Sequence, residues 1–275
     1  MIDVSELTYP IILSEIFQNT LPVVDIGFVG QLGKNELASA ALATVWFNHG
    51  MRPSWLHDRH RHVAFPVLRA NRLDNFSAWT ANSLVIILPV TAVVSGAVAL
   101  CGPCMKLFGQ DPDLADEASK FSYRLIPGLF PYYLFKIQMK YLQLQNRLAP
   151  GAWIGLFANG FNALFNWFLI YGVGWGLMGA PWATLLTRLV EFLLISLYVC
   201  ANRRSLKDTW PIFSRKLCVI PYSNRSGKLA ISGALSFAAE TWSFEGVTTI
   251  LAESIGNRTL GCTHHHIDIR YLHLS

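Results

Sequence analysis

Charge is what this chain has least of. Only 14% of its 275 residues are charged, and no Asp, Glu, Lys or Arg occurs in the 40 positions between Arg147 and Arg188. A soluble domain carries about 25% charged residues and scatters them over its surface, so a gap of that length excludes one here. A bilayer core about 30 Å thick takes about 20 apolar residues per helix. The gap is therefore predicted to hold two spanning helices joined at Tyr171-Gly-Val-Gly-Trp-Gly. Cysteine is also scarce. The five present match neither a disulfide framework nor a zinc site by spacing. Cys101-Gly-Pro-Cys104 has the spelling of a thioredoxin-type redox motif, but that chemistry uses a helix N-terminus following a buried strand. Here the motif follows the uncharged run Leu84 to Leu100, and it is predicted to be a structural helix end. Nothing at the start reads as a cleavable signal, because Asp3 and Glu6 precede the first apolar run; the first helix is expected to direct insertion itself.

What is present is apolar: 52% of residues are hydrophobic and the mean hydropathy is +0.35. Seven apolar blocks stand near 8–31, 36–50, 79–102, 121–144, 151–171, 176–200 and 229–252. They predict an all-α integral membrane protein, a polytopic bundle of about six to seven transmembrane helices. The first block carries Glu15, Gln18, Asn19 and Asp25, which are expected to face the bundle interior or a wet cavity. Pro127 and Pro131 are expected to kink the fourth. The net charge of +5 resides in the connections and is no nucleic-acid signature. Residues 51–75 hold five Arg against two Asp and 201–228 seven Lys or Arg against one Asp, whereas 104–120 hold four acids against two Lys. By the positive-inside rule the N-terminus and the 201–228 loop are expected to be cytoplasmic.

Two stretches break the pattern. Residues 52–75 turn abruptly basic and His-rich, and 259–275 do so again at Thr263-His-His-His. Metal binding and a solvated loop are two readings of them; a translated wrong reading frame accounts better for their sharp edges.

Ionisable groups inside spans are the first functional candidates, since an unpaired charge is expensive there. Asp25 follows Pro22 inside the first span, where a desolvated carboxylate is suited to binding and releasing a proton. Glu240 and Glu245, five apart, point about 140° apart on the seventh helix. Arg188 and Glu191, three apart, are expected to neutralise each other. Asn159, Asn162 and Asn166 form one stripe on the fifth span, where amides commonly join helices. Lys136 and Lys140 are expected to snorkel from the fourth.

Several segments together resemble the multidrug and toxic compound extrusion (MATE) transporters in their eukaryotic form. They are Leu21-Pro-Val-Val-Asp-Ile-Gly-Phe-Val-Gly-Gln-Leu-Gly-Lys-Asn-Glu-Leu-Ala, Phe108-Gly-Gln-Asp-Pro, Arg124-Leu-Ile-Pro-Gly-Leu-Phe-Pro, Lys140-Tyr-Leu-Gln-Leu-Gln, Gly176-Leu-Met-Gly-Ala and Glu240-Thr-Trp-Ser-Phe-Glu. The resemblance implies a secondary transporter, not an enzyme, that exports organic cations or amphiphilic xenobiotics across a lipid bilayer. The exchange is against H⁺ or Na⁺, with no other cofactor. It further implies a six-helix lobe over 1–200, a cytoplasmic inter-lobe loop over 201–228, the first helix of a second lobe over 229–258 and an aberrant tail over 259–275. Asp25 matches the first-helix carboxylate of the family's cation site, and Asn162, Asn166 and Thr184 match the positions that complete it. Many prokaryotic members carry aspartate where Asn166 stands. Glu240 and Glu245 match two acids of the seventh helix, with Thr241 in place of a Trp. Residence in the plasma membrane or a vacuolar or other endomembrane is implied. Because only one lobe and one further helix are matched, a non-transporting truncated fragment is the alternative expectation, and a half-transporter that dimerises is a further one.

Overall fold

The computed structural model of the chain describes residues 4–50, 73–107 and 109–206. Those residues form helices joined by short turns. In chain order they are α1 (Val4–Val29), α2 (Lys34–Gly50), α3 (Leu73–Ala99), α4 (Cys101–Leu107), α5 (Pro112–Leu144), α6 (Ala149–Asn166) and α7 (Gly179–Ala201). A π-helical turn, Trp167–Gly172, and a 3₁₀ turn, Gly176–Met178, lie between α6 and α7. The predicted Gly-rich turn is there, with Gly174 at φ +77° and Gly176 at φ +54°, a region that suits glycine alone at low cost. The fold is an all-α membrane bundle.

The first six apolar blocks each lie on one of these helices, with α4 continuing the block of α3; the seventh block and its Glu240 and Glu245 lie outside the described residues. Their lengths differ from the apolar runs where charge and structure part company. α5 starts nine positions before its apolar block because Asp111 caps it, its side chain accepting from the Asp113 N–H at 2.9 Å, and Pro112 takes the first turn. The acidic start of α5 is thus helix, extending the apolar part by roughly 14 Å. α5 runs unbroken through Pro127 and Pro131.

Among the described residues three helical stretches are long and apolar enough to cross a bilayer: Ile12–Val29, Ala149–Gly172 and Gly176–Ala201. Ile87–Ala99 with Cys101–Leu107, bent by 42°, makes a fourth if taken as one span. Over this region the sequence blocks led to an expectation of six. α2 has 17 residues and reaches only about 26 Å. α5 carries Arg124, Lys136 and Lys140 within its apolar part, and neighbours meet several of its polar groups. Lys136 donates to Gln18 Oε1, Gln138 Nε2 donates to Ser196 Oγ at 3.1 Å, and Glu117 Oε2 accepts from Ser39 of α2 at 3.2 Å. A polar group satisfied by a neighbouring helix does not need apolar surroundings. Lys136 therefore engages α1, where snorkelling was expected.

α5 sits at the centre, contributing to three apolar clusters. One gathers Phe121 and Leu125 with Val29, Met105, Ile170 and Leu177; a second gathers Phe135, Met139 and Leu142 with Ile154, Ile195 and Val199. The third packs Leu129, Tyr133 and Ile137 against Ile87, Val94 and Val98 of α3. Glycine sets how closely α1 meets α6: a β-carbon on Gly155 would lie 2.9 Å from Phe17 Cβ, an atom fixed to the α1 backbone. Helix association in lipid depends on such close approach. Gly155→Leu is expected to separate α1 from α6 and abolish a monodisperse peak in detergent size-exclusion chromatography, while Gly155→Ala costs about 1–3 kcal/mol by overpacking.

Candidate functional site

The turn end of the bundle, where α1 and α6 finish and α7 begins, holds a polar cluster, buried at Asn162 and Asn166 and half-buried at Asp25 and Thr184. Asp25 lies four residues from the end of α1, about 6 Å along its axis. Its Oδ1 accepts from Asn162 Nδ2 at 3.0 Å and Asn166 Nδ2 at 2.7 Å; its Oδ2 accepts from Thr184 Oγ1 at 2.7 Å. Asn162 and Asn166, one turn apart on α6, are both fully buried. Four of the six residues singled out from sequence, Asp25, Asn162, Asn166 and Thr184, thus meet around one carboxylate. The other two, Glu240 and Glu245, lie outside the described residues.

Local chemistry orients the donors. An ionised carboxylate only accepts, so both amides turn their NH₂ groups to it. Asn166 also reaches the Asn162 carbonyl at 3.0 Å through Nδ2. Its Oδ1 is buried with no hydrogen-bond partner among the described residues. The same α6 stripe continues to Asn159, whose Nδ2 donates to the Phe17 carbonyl at 2.8 Å and joins α6 to α1. Directly after Asn166 the helix widens into the π turn, closed by Val173 N–H to Phe168 O at 2.8 Å and Trp175 N–H to Leu169 O at 3.1 Å. Such turns are frequent at functional sites; no residue in Trp167–Gly172 marks it in the sequence.

All the donors to Asp25 are neutral. Arg188, one turn beyond Thr184 on α7, is the cation within electrostatic reach. Its Nη1 donates to Glu191 Oε2 at 2.9 Å, the pairing expected from their spacing, and its guanidinium lies 4.6 Å from the centre of the Tyr132 ring. Sequence reasoning saw this pair as self-contained and did not connect it with Asp25; the four-residue step from Thr184 to Arg188 was the available signal.

The polar residues of α1 divide between two faces. Gln18 is buried against Lys136 and Ser14, and Asp25 meets α6 and α7. Glu15 and Asn19 instead line an open pocket with Ile12, Ile16, Thr20 and Val23, so the polar residues of α1 divide between the two expected settings, the bundle interior and a cavity. Trp167 is 56% exposed. Cys101 is buried, its Sγ accepting from Ser122 Oγ at 3.4 Å.

Residues 69–168 match the MatE family model. Multidrug and toxin extrusion protein 1 of Xenopus tropicalis is 29% identical over 263 residues, 91% of this chain and 43% of that protein. The chain is thus similar to MATE proteins. Protein DETOXIFICATION 16 of Arabidopsis thaliana is 26% identical over 246 residues, covering 87% of this chain and 49% of its own length. The crystal structure of the eukaryotic MATE transporter AtDTX14 superposes with a TM-score of 0.80 at 23% identity, over 88% of this chain and 54% of that one. The chain is an integral membrane protein, and it spans about half the length of the curated relatives it matches.

Proposed function

We propose that the chain forms the N-terminal lobe of a cation-coupled exporter and that Asp25, held by Asn162, Asn166 and Thr184, is the group at which H⁺ or Na⁺ and an organic cation exclude one another. What carries this reading is a half-buried carboxylate with three neutral donors from two other helices, fixed in place while its charge stays uncompensated by them. Proton entry cancels the charge that attracts the cargo, and cargo leaves. Exchange across the membrane adds a second lobe, in which Glu240 and Glu245 are the corresponding acids. The cargo is a small organic cation or amphiphilic xenobiotic, and the N-terminus faces the cytoplasm of a plasma or endomembrane.

Proton counting tests this. The chain in lightly buffered lipid nanodiscs is expected to release protons, up to one per chain, on binding tetraphenylphosphonium, and to release none when Asp25 is Asn. Binding with no proton release and no competition by Na⁺ would sink the exchange. A companion variant addresses the ion: Asn166→Asp puts a second carboxylate beside Asp25, and oxygen ligands of that charge suit a hard cation. It is expected to make tetraphenylphosphonium binding sensitive to Na⁺ at least tenfold more strongly than in the parent, read by displacement titration.

A further inference from the structure

Arg188 stands where it can silence Asp25. Thr184 touches the Asp25 carboxylate at 2.7 Å, and Arg188 follows one turn later on the same face of α7, with a side chain long enough to cover about 6 Å of helix rise. A guanidinium turned toward Asp25 would meet a carboxylate with matching geometry, a pairing that is strong in a low dielectric. An internal ion pair of that kind leaves no net charge to draw a cation. The guanidinium is engaged by other partners. Glu191, fully buried, takes Nη1 at 2.9 Å, and the Tyr132 ring covers the guanidinium at 4.6 Å. The Oε1 of Glu191 is buried with no hydrogen-bond partner among the described residues, so the carboxylate depends on Arg188 as Arg188 depends on it. Lys136, the other nearby cation, is occupied with Gln18, seven residues and about 10 Å along α1 from Asp25.

We propose that Glu191 is a positioning residue: it holds Arg188 off Asp25 and thereby keeps the Asp25 carboxylate open to an incoming cation. This rests on the reading of Asp25 as the cation-accepting group. With the pair intact, Asp25 is left with the one uncancelled charge of the three. With Glu191 neutral, Arg188 turns to the nearest remaining carboxylate, and Asp25 is spent on an internal partner.

The test is tetraphenylphosphonium binding to the full chain in lipid nanodiscs, with Asp25→Asn giving the background of partition into lipid. Glu191→Gln is expected to bind about tenfold more weakly than the parent or worse, because an opposite charge beside Asp25 cancels its attraction. Glu191→Gln combined with Arg188→Gln removes both halves and is expected to return binding to within about threefold of the parent, a rescue that a purely structural role of Glu191 would not give. Parent-like binding by Glu191→Gln, or a double variant as weak as the single one, overturns the proposal. Should Glu191→Gln alone fail to fold, the double variant decides by itself: binding supports the proposal and lack of binding overturns it. Asp25→Asn that binds like the parent brings down the reading of the site and the proposal with it, whereas weak Asp25→Asn beside normal Glu191→Gln overturns the proposal alone.

Discussion

Replacing Asp25 by asparagine is expected to weaken binding of a permanent organic cation to this chain by at least about tenfold while leaving its thermal stability close to the parent's. The two effects separate because charge and hydrogen bonding separate. Asparagine keeps the size of the side chain and one acceptor oxygen, so at least one of Asn162, Asn166 and Thr184 retains its partner and the others can reorient. It removes the negative charge, and a carboxylate–cation attraction of about 1.4 kcal/mol already accounts for a factor of ten. Leucine at the same position distinguishes the roles further. Asn162 is fully buried, and leucine would strand its donor at about 1–3 kcal/mol, whereas Asn166 and Thr184 keep main-chain acceptors at Asn162 and Ala180. Asp25→Leu is therefore expected to lose binding and to melt measurably lower, and Asp25→Asn only the first. Equal loss of stability in both, followed by detergent melting, would assign Asp25 a purely architectural role.

That outcome bears on how much of the site could be read without coordinates. Helices were legible wherever charge was absent, because a bilayer imposes length and apolarity on a segment directly. The span across Gly176–Ala201 shows this plainly, since nothing in it but Arg188 and Glu191 disturbs the apolar run. α5 was harder. Its capped start at Asp111 and Pro112 obeys the local rules of helix initiation, but hydropathy is silent there because that part lies outside the apolar run. The meeting of Asp25 with Asn162, Asn166 and Thr184 across more than 130 positions of sequence was not legible from residue types. Periodicity put the asparagines on one stripe of α6, and only the resemblance to a family joined that stripe to Asp25. The π turn after Asn166 was invisible for another reason: widening a helix by one residue needs no particular side chain, only neighbours such as Gly179, whose β-carbon would lie 3.0 Å from the Ile170 backbone nitrogen.

Loss of Arg188 alone is expected to be among the most damaging single changes in the bundle, because of what it leaves behind. Glu191 has no exposed side-chain surface; its Oε1 has no partner among the described residues, and its Oε2 is held by Arg188. Removing one member of a buried pair strands the other, at about 3–5 kcal/mol, whereas removing both is often close to neutral. Arg188→Gln should accordingly lower the melting temperature in detergent by an amount on the order of 10 °C. Adding Glu191→Gln to it should recover most of that loss, even though two native groups are then missing. The ordering matters more than the size. If the double variant melts as low as Arg188→Gln, the guanidinium stabilises the fold through the Tyr132 face and not by neutralising Glu191, and the pair would be an aromatic anchor with an incidental carboxylate. If the double variant recovers, the bundle tolerates an interior without this pair. An ion pair that stability does not require, kept one helical turn from a carboxylate that must stay available, is then best understood by what it keeps away from Asp25.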